Sequence, residues 1–378
     1  MTLAIQELRQ KRHLSSEEVD GFLAGKTFPL VEGHTVTFVY RGDVADVHLR
    51  HWIYGLPSSR PLKRLEGTDL WFLSIDLPPG SRVEYKFEVF HGQRFELAID
   101  PLNPHLATDP MGTNSVVHAT GYEVPDYTFA DPNARPGSLE TIALASAVFG
   151  EARPLQIYLP ARFRPTRRYP LLVVHDGSDF LRFAGLKTVL DNLIHRLEIP
   201  PLIAALTDSP RRLQEYADDP RHAEFLTGEL VPALERRYPL ARLAAARCLL
   251  GASFGAVASL AAAWRHPGVF GNLCLLSGSF AFTDIGAHDR GPVFDPVVEF
   301  VNAFRANPGR PSENIYLACG IYESLIYYNR SLLPLLQATG MSVHFSEVRD
   351  GHNWENWRDR LREGLSWLFP GPLWMVYE

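Results

Sequence analysis

The stretch Gly251-Ala252-Ser253-Phe254-Gly255 constrains this chain more than any other. An apolar segment, residues 247–250, runs into it, and an Ala-rich segment, residues 255–265, leaves it and stops before Pro267. A G-x-S-x-G pattern between a strand and a helix is the signature of a nucleophile elbow. The serine sits on a strained turn, and a side chain larger than hydrogen on either flank would clash. The following helix points the positive end of its dipole at the serine. Ser253 is therefore the candidate nucleophile.

The residues around this turn repeat a strand–helix rhythm. Strands are predicted over residues 154–159, 169–175, 201–207, 247–250, 273–276, 315–318 and 342–348. Helices are predicted over 223–238, where Pro232 is unusual and expected to bend the axis, over 255–265 and over 355–368. Alternating strands and helices imply a mostly parallel sheet covered on both faces.

Upstream the pattern is different. Residues 34–40 read H-T-V-T-F-V-Y, 70–77 read L-W-F-L-S-I-D-L and 82–90 read R-V-E-Y-K-F-E-V-F, with a further alternating run at 44–50. Turn signals separate them at Arg41-Gly42-Asp43, Glu66-Gly67-Thr68 and Pro78-Pro79-Gly80. Short strands at this spacing predict a β-sandwich. Ser15 and Glu18 form a capping box that opens a short leading helix. A Pro-, Asp-, Asn- and Gly-rich stretch joins the two parts. The expected organisation is a sandwich over 1–120, a linker over 121–137 and a catalytic domain over 138–378. A length of 378 residues suits two domains.

A serine hydroxyl attacks only when a base takes its proton. Four histidines follow Ser253. His266 ends the Ala-rich helix, His288 lies among charged neighbours and His344 lies inside an alternating strand. His352, in Arg349-Asp350-Gly351-His352-Asn353-Trp354, falls between the last strand and the last helix, where a general base reaches back. The orienting acid belongs after the intervening strand, which makes Glu323 in Gly320-Ile321-Tyr322-Glu323 the candidate and Asp350 its rival. The oxyanion needs two backbone donors. Phe254 supplies one, and Gly177 or Ser178, after the strand ending at His175, the other. Arg211 and Arg212, after the strand over 201–207, are candidate contacts for an anionic substrate. Asp176 and Trp354 are further candidate substrate contacts, whereas Trp357 is expected in the core.

Composition narrows the function. There are 37 basic and 43 acidic residues, a net charge of −6, with no basic stripe for a nucleic acid to track. Three cysteines, at 248, 274 and 319, sit apart in apolar runs and suit neither a disulfide framework nor a zinc site. The first 30 residues hold no apolar signal run, and the longest uncharged run, residues 248–264, is too short to span a membrane. A soluble cytosolic enzyme is expected, without metal or cofactor, and homo-oligomers stay open. A glycan-binding role for the sandwich would need exposed aromatics, with Trp52, Tyr54 and Trp71 as candidates.

These residues resemble the enterochelin esterase family, within the esterase D-like α/β hydrolases. The matching pieces are His175-Asp176-Gly177, Arg212-x-x-Glu215-Tyr216, Glu229-Leu230-x-Pro232 with Tyr238, Gly251 to Gly255, Ser277-Gly278-Ser279, Gly320-x-x-Glu323 and Gly351-His352 with Trp357-Arg358. In the first domain they are Asp69-Leu70-Trp71, Tyr85-x-Phe87 and Asp100-Pro101-Leu102-Asn103-Pro104. Asn353 stands where the family often has Asp. The resemblance implies an α/β-hydrolase fold preceded by an immunoglobulin-like early-set sandwich. It implies a Ser253–His352–Glu323 triad that hydrolyses the ester bonds of a ferric catecholate siderophore lactone. Feruloyl and acetyl carbohydrate esterases share the architecture and form the alternative.

Overall fold

A computed structural model describes residues 2–11, 14–283 and 290–371, and His288 lies outside them. The chain forms two units. One comprises Met1–Val124 with two returning segments, Gly320–Ser324 and Val348–Asn353; the other comprises Pro125–Cys319, Leu325–Glu347 and Trp354–Glu378.

The larger unit is built on an eight-stranded sheet. Its strands, numbered within this unit, are β1 (Ser138–Ser146), β2 (Glu151–Leu159), β3 (Leu171–His175), β4 (Ile203–Thr207), β5 (Arg247–Ala252), β6 (Asn272–Leu276), β7 (Asn314–Gly320) and β8 (Ser342–Val348). Their order is β1-β2-β4-β3-β5-β6-β7-β8. The first two pairings are antiparallel, and β4-β3-β5-β6-β7 run parallel. The central strands are buried at nearly every position and mostly apolar because both faces are covered. Leu171, Val173, Leu249, Leu275 and Leu317 face one apolar layer, with the helix Phe254–Arg265 and the helix Asp295–Ala306. Leu172, Val174, Leu250, Leu276 and Tyr316 face the other, with Leu186–His195 and Trp354–Leu368.

The helix expected over 223–238 is three pieces: α-helix at Pro220–Glu224, one wide π-turn at Phe225–Leu230 and α-helix at Val231–Arg237. Pro232 offers no N–H to the carbonyl four residues back, and its ring crowds that carbonyl. The wide turn precedes it and takes up the mismatch.

The stretch expected to be a linker is ordered by the larger unit from Pro125 onward. Tyr127 is buried in a 3-10 turn, and its hydroxyl donates to the Asp359 carbonyl at 2.8 Å. Asn192 Nδ2 donates to the Tyr127 carbonyl at 2.8 Å and the Phe129 carbonyl at 2.6 Å.

The smaller unit is a two-sheet sandwich. One sheet orders Leu30–Glu32, Thr35–Arg41, Leu70–Asp76 and Lys63–Arg64. The other orders Ser59–Pro61, Asp46–His51, Arg82–His91, Gly112–His118 and Leu106–Asp109, with Arg94–Ala98 paired on Arg82–His91. Alternation sends Val36 and Phe38 from the first sheet and Leu49, Tyr85 and Phe87 from the second into one core. Phe38 and Tyr85 meet edge to face at 4.8 Å. Two helices, Ala4–Arg9 and Ser16–Leu23, pack Ile5, Leu8, Val19 and Phe22 against Val39 and Phe72. Ser15 and Glu18 cap the second one reciprocally. Trp71 is core, its indole N–H donating to the Gly42 carbonyl at 3.0 Å, while Trp52 and Tyr54 are exposed. Among the described residues no helix is long and apolar enough to cross a membrane.

Candidate active site

Three non-glycine residues with positive φ end neighbouring parallel strands: Asp176 after β3 (φ 54°), Ser253 after β5 (φ 58°) and Ser277 after β6 (φ 46°). Strained backbone gathered at one sheet edge marks a working surface. At Ser253, with ψ −119°, the strain has a visible cause. A Cβ on Gly251 would overlap the Gly255 carbonyl, and one on Gly255 would stand 3.1 Å from His175 Cβ. The turn folds so tightly that only hydrogen fits at Gly251, and a larger group at Gly255 would crowd His175. Ser253 N–H donates to the Leu276 carbonyl at 2.9 Å, and Ser253 Oγ shares a hydrogen bond with Ser279 Oγ at 3.2 Å.

Phe254 is the first residue of its helix, so its N–H belongs to a first turn that has no intrahelical acceptor. Gly177 likewise opens Gly177–Phe183 and lies so close to Leu206 that a Cβ would overlap it. The Ser178 amide is engaged, donating to Asp208 Oδ1 at 3.1 Å. Of the two amides considered for this loop, Gly177 is the one with no such acceptor among the described residues.

Beneath the turn lies a buried polar layer. His175 Nε2 and His222 Nε2 are 3.0 Å apart, Ser259 Oγ is 3.1 Å from His175 Nδ1, and burial holds the His175 pKa well below its ordinary value. Arg212 grips Asp176 through two 2.7 Å bonds, Nε to Oδ1 and Nη2 to Oδ2. Burial raises the Asp176 pKa, and Arg212 offsets only part of that. Both residues expected to touch substrate are thus partners of each other, because a buried carboxylate needs a cation more than the sheet edge needs a free one. Arg211 faces Glu151 at 3.6 Å and Glu215 at 3.7 Å. Trp354 is buried, edge to face with Phe180 at 5.2 Å and Trp357 at 4.8 Å, so it belongs to the core like Trp357.

The returning segments of the smaller unit carry the other two candidates. His352 Nδ1 is 2.7 Å from Glu323 Oε2. A carboxylate only accepts, so Nδ1 carries the hydrogen and Nε2 keeps the lone pair a general base needs. The second oxygen of Glu323, Oε1, accepts from the Gly320 amide at 2.8 Å, and the side chain is buried. Asp350 is occupied elsewhere: its carboxylate binds Arg82, Asn353 Nδ2 and the Gly351 amide. Of the remaining histidines, His344 pairs with Glu363 at 2.9 Å and His266 lies 3.8 Å from Glu224.

Beside His352 the smaller unit opens a cavity of about 350 Å³, lined by Trp52, Lys86, Met111, Tyr322 and Asn353 among others. Sequence reading did not assign Ser279, Asp208, Arg82 or Lys86. Ser279 lies in the quoted Ser277-Gly278-Ser279, but nothing local reveals its partner.

A profile of the family described as "Putative esterase" matches residues 146–368, well over half the chain. The chain belongs to this esterase family. The enzyme is an ester hydrolase. It is 25% identical to the iron(III) enterobactin esterase of Escherichia coli O6:H1 over 333 residues, covering 81% of each chain. The protein of the same name from Escherichia coli K12 is 25% identical over 351 residues, covering 84% of this chain and 85% of that one. In fold, the esterase is similar to the enterobactin esterase from Shigella flexneri crystallised in the presence of enterobactin. The TM-score is 0.74 at 21% identity, over 95% of this chain and 99% of that chain. A ferulic acid esterase from Anaeromyces mucronatus aligns at a TM-score of 0.55 and 17% identity, over 64% of this chain and 94% of that one.

Proposed function

We propose that this esterase hydrolyses the ester bonds of a catecholate siderophore lactone with Ser253 as nucleophile, His352 as general base and Glu323 as its orienting acid. The observation that carries the chemistry is the strained Ser253 backbone, between Gly251, where only hydrogen fits, and Gly255, packed close on His175. The 2.7 Å Glu323–His352 bond and the chain order serine, acid, histidine support the relay.

In this reading Ser253 Oγ attacks an acyl carbonyl while His352 Nε2 takes the hydroxyl proton. The N–H groups of Phe254 and Gly177 receive the oxyanion. The C–O bond to the leaving serine-type alcohol breaks, and His352 returns the proton to that oxygen. Water repeats the sequence on the acyl-enzyme, freeing the acid and Ser253. Glu323 orients the ring through Nδ1 and stabilises the imidazolium.

The substrate class is supported by the two Escherichia coli relatives and by the cavity beside His352. Trp52 offers a half-exposed aromatic face there, and among the described residues Lys86 has no ion-pair partner. The acids nearby are taken: Glu84 by Arg82 and Asn114, Asp109 by the Met111 amide. A catechol ring and its negative oxygens suit that pairing. We further infer an immunoglobulin-like early-set sandwich, supported by its two facing antiparallel sheets, and a cytosolic setting, supported by three buried free cysteines.

The test is turnover of ferric and iron-free enterobactin beside feruloyl and acetylated sugars. Preference for the lactone is expected. Turnover of the sugars without the lactone would make it a carbohydrate esterase.

A further inference from the structure

The acid and base loops belong to the same unit as the sandwich, and side-chain contacts on either side of His352 in the base loop converge on one residue. Arg82 is 2% exposed, on a strand of the sandwich. Its Nη1 donates to Asp350 Oδ1 at 3.2 Å and to Asn353 Oδ1 at 3.0 Å, and its Nη2 to Glu84 Oε1 at 3.1 Å. Its backbone N–H donates to the Arg349 carbonyl at 2.9 Å. Asn353 closes the ring, donating Nδ2 to Asp350 Oδ1 at 2.8 Å. His352 is thus bracketed: the residue after it and the residue two before it are both fixed to one guanidinium. Asn353 serves as acceptor and donor at once, which an aspartate beside Asp350 could not do.

We propose that Arg82 is a positioning residue for the general base, setting from the sandwich the loop that presents His352. A planar fork holds two partners in a fixed relative orientation, which a point charge does not. The same sandwich also holds the acid loop. Tyr54 N–H donates to the Tyr322 carbonyl at 2.8 Å, and Ser81 Oγ and Tyr322 OH lie 2.6 Å apart. Tyr322 N–H in turn donates to the Asp350 carbonyl at 3.2 Å, so the two loops are also tied to each other. The sandwich on this account is part of the catalytic device, whatever ester is cleaved.

This role presupposes His352 as the base, and a double-mutant cycle separates the two ideas. The assay is kcat and KM on a neutral short-chain aryl ester. Arg82→Met should lower kcat about 100-fold with KM nearly unchanged, since a misplacement of about 1 Å costs that much. Arg82→Lys, keeping the charge without the fork, should recover part of the loss. In a His352→Ala background Arg82→Met should have no further effect, because there is no base left to position. A loss that falls on KM, or that multiplies undiminished in the His352→Ala background, overturns the role of Arg82 and leaves the triad standing. Full activity of His352→Ala alone would overturn the triad and the positioning role together. Should Arg82→Met fail to fold, Arg82→Met with Asp350→Asn removes both buried charges and runs through the same cycle.

Discussion

The nucleophile turn and the base loop are held in opposite ways. The constraints on Ser253 are mostly close packing of backbone, within its own turn and against the ends of the two neighbouring strands: Gly251 against the Gly255 carbonyl, Gly255 against His175, the Ser253 amide on the Leu276 carbonyl. The loop of His352 is held by side chains from far along the chain. Arg82 is 268 residues from Asp350, and Arg349 donates to the Pro79 carbonyl at 2.8 Å. One is a backbone device and the other a side-chain network. A backbone device tolerates change anywhere but at its own glycines. A network tolerates change at its glycine and fails at distant residues.

The largest effects should fall on the reacting groups. Ser253→Ala should lower kcat by about 10⁴-fold or more with the melting temperature unchanged, and an organophosphate should label Ser253 in the parent protein. Label on another serine, or an active Ser253→Ala enzyme, would break the elbow assignment. Glu323→Gln should cost up to about 10⁴-fold and less than the serine change, since the acid orients the base rather than attacking. An unaffected rate would leave a Ser–His dyad.

The glycines sharpen the comparison next. Gly251→Ala must push the Gly255 carbonyl away and should lose about 3 kcal/mol or more along with activity. Gly351→Ala meets only Asn353 Nδ2, at 3.6 Å, and should cost within about 0.5 kcal/mol. Denaturant midpoints of the two variants measure this directly. Equal losses would mean that the base loop is as sterically fixed as the elbow.

This difference also explains what the sequence makes legible. The elbow leaves a local imprint, since two closely packed glycines flank one serine. His352 and Glu323 are proposed from chain order, and the structure does bring those two side chains to 2.7 Å. The four sandwich strands predicted from alternation lie within a residue or two of their bounds, whereas the short strands Leu30–Glu32, Ser59–Pro61 and Lys63–Arg64 and the helices Leu186–His195, Asp295–Ala306 and Ile326–Ala338 are not predicted. Arg82 has no such imprint. It occupies an ordinary polar position in R-V-E-Y-K-F-E-V-F, and its role depends on a partner beyond any local window. Arg212 is the converse case. It stands at the expected place, yet pairing with a buried carboxylate depends on packing, which no spacing reveals.

Asp350 makes the network visible to pH. Burial, only partly opposed by Arg82, pushes its pKa up to about 6, with Asn353 and the Gly351 amide also lowering it and Glu84 raising it. Below about pH 4 folded and unfolded chains both hold this proton. Between there and about pH 6 the folded chain holds it and the unfolded chain releases it. The stability it contributes is present in acid and lost as pH rises, about 2–3 kcal/mol across the window. Asp350→Asn should remove that slope from the unfolding free energy measured between pH 4 and 7. A difference between parent and variant that stays constant with pH would mean that Asp350 is ionised throughout.

The smallest effect concerns the two cations. On the elbow side Arg212 is already matched by Asp176, whereas beside the base loop Lys86 has no ion-pair partner among the described residues. An added anion gains little from a guanidinium that holds a carboxylate with two bonds. It gains a screened, half-exposed attraction from a free ammonium, worth up to about 1 kcal/mol or roughly fivefold. Lys86→Ala should therefore raise KM for a catecholate lactone by that factor, less so in high salt, and leave a neutral aryl ester unaffected. Arg212→Ala strands a buried carboxylate and should damage both substrates alike, through stability. If Arg212→Ala instead selectively raised KM for the catecholate, the guanidinium would have to exchange Asp176 for substrate. Anion recognition would then belong to the elbow side rather than to the loop that the sandwich holds.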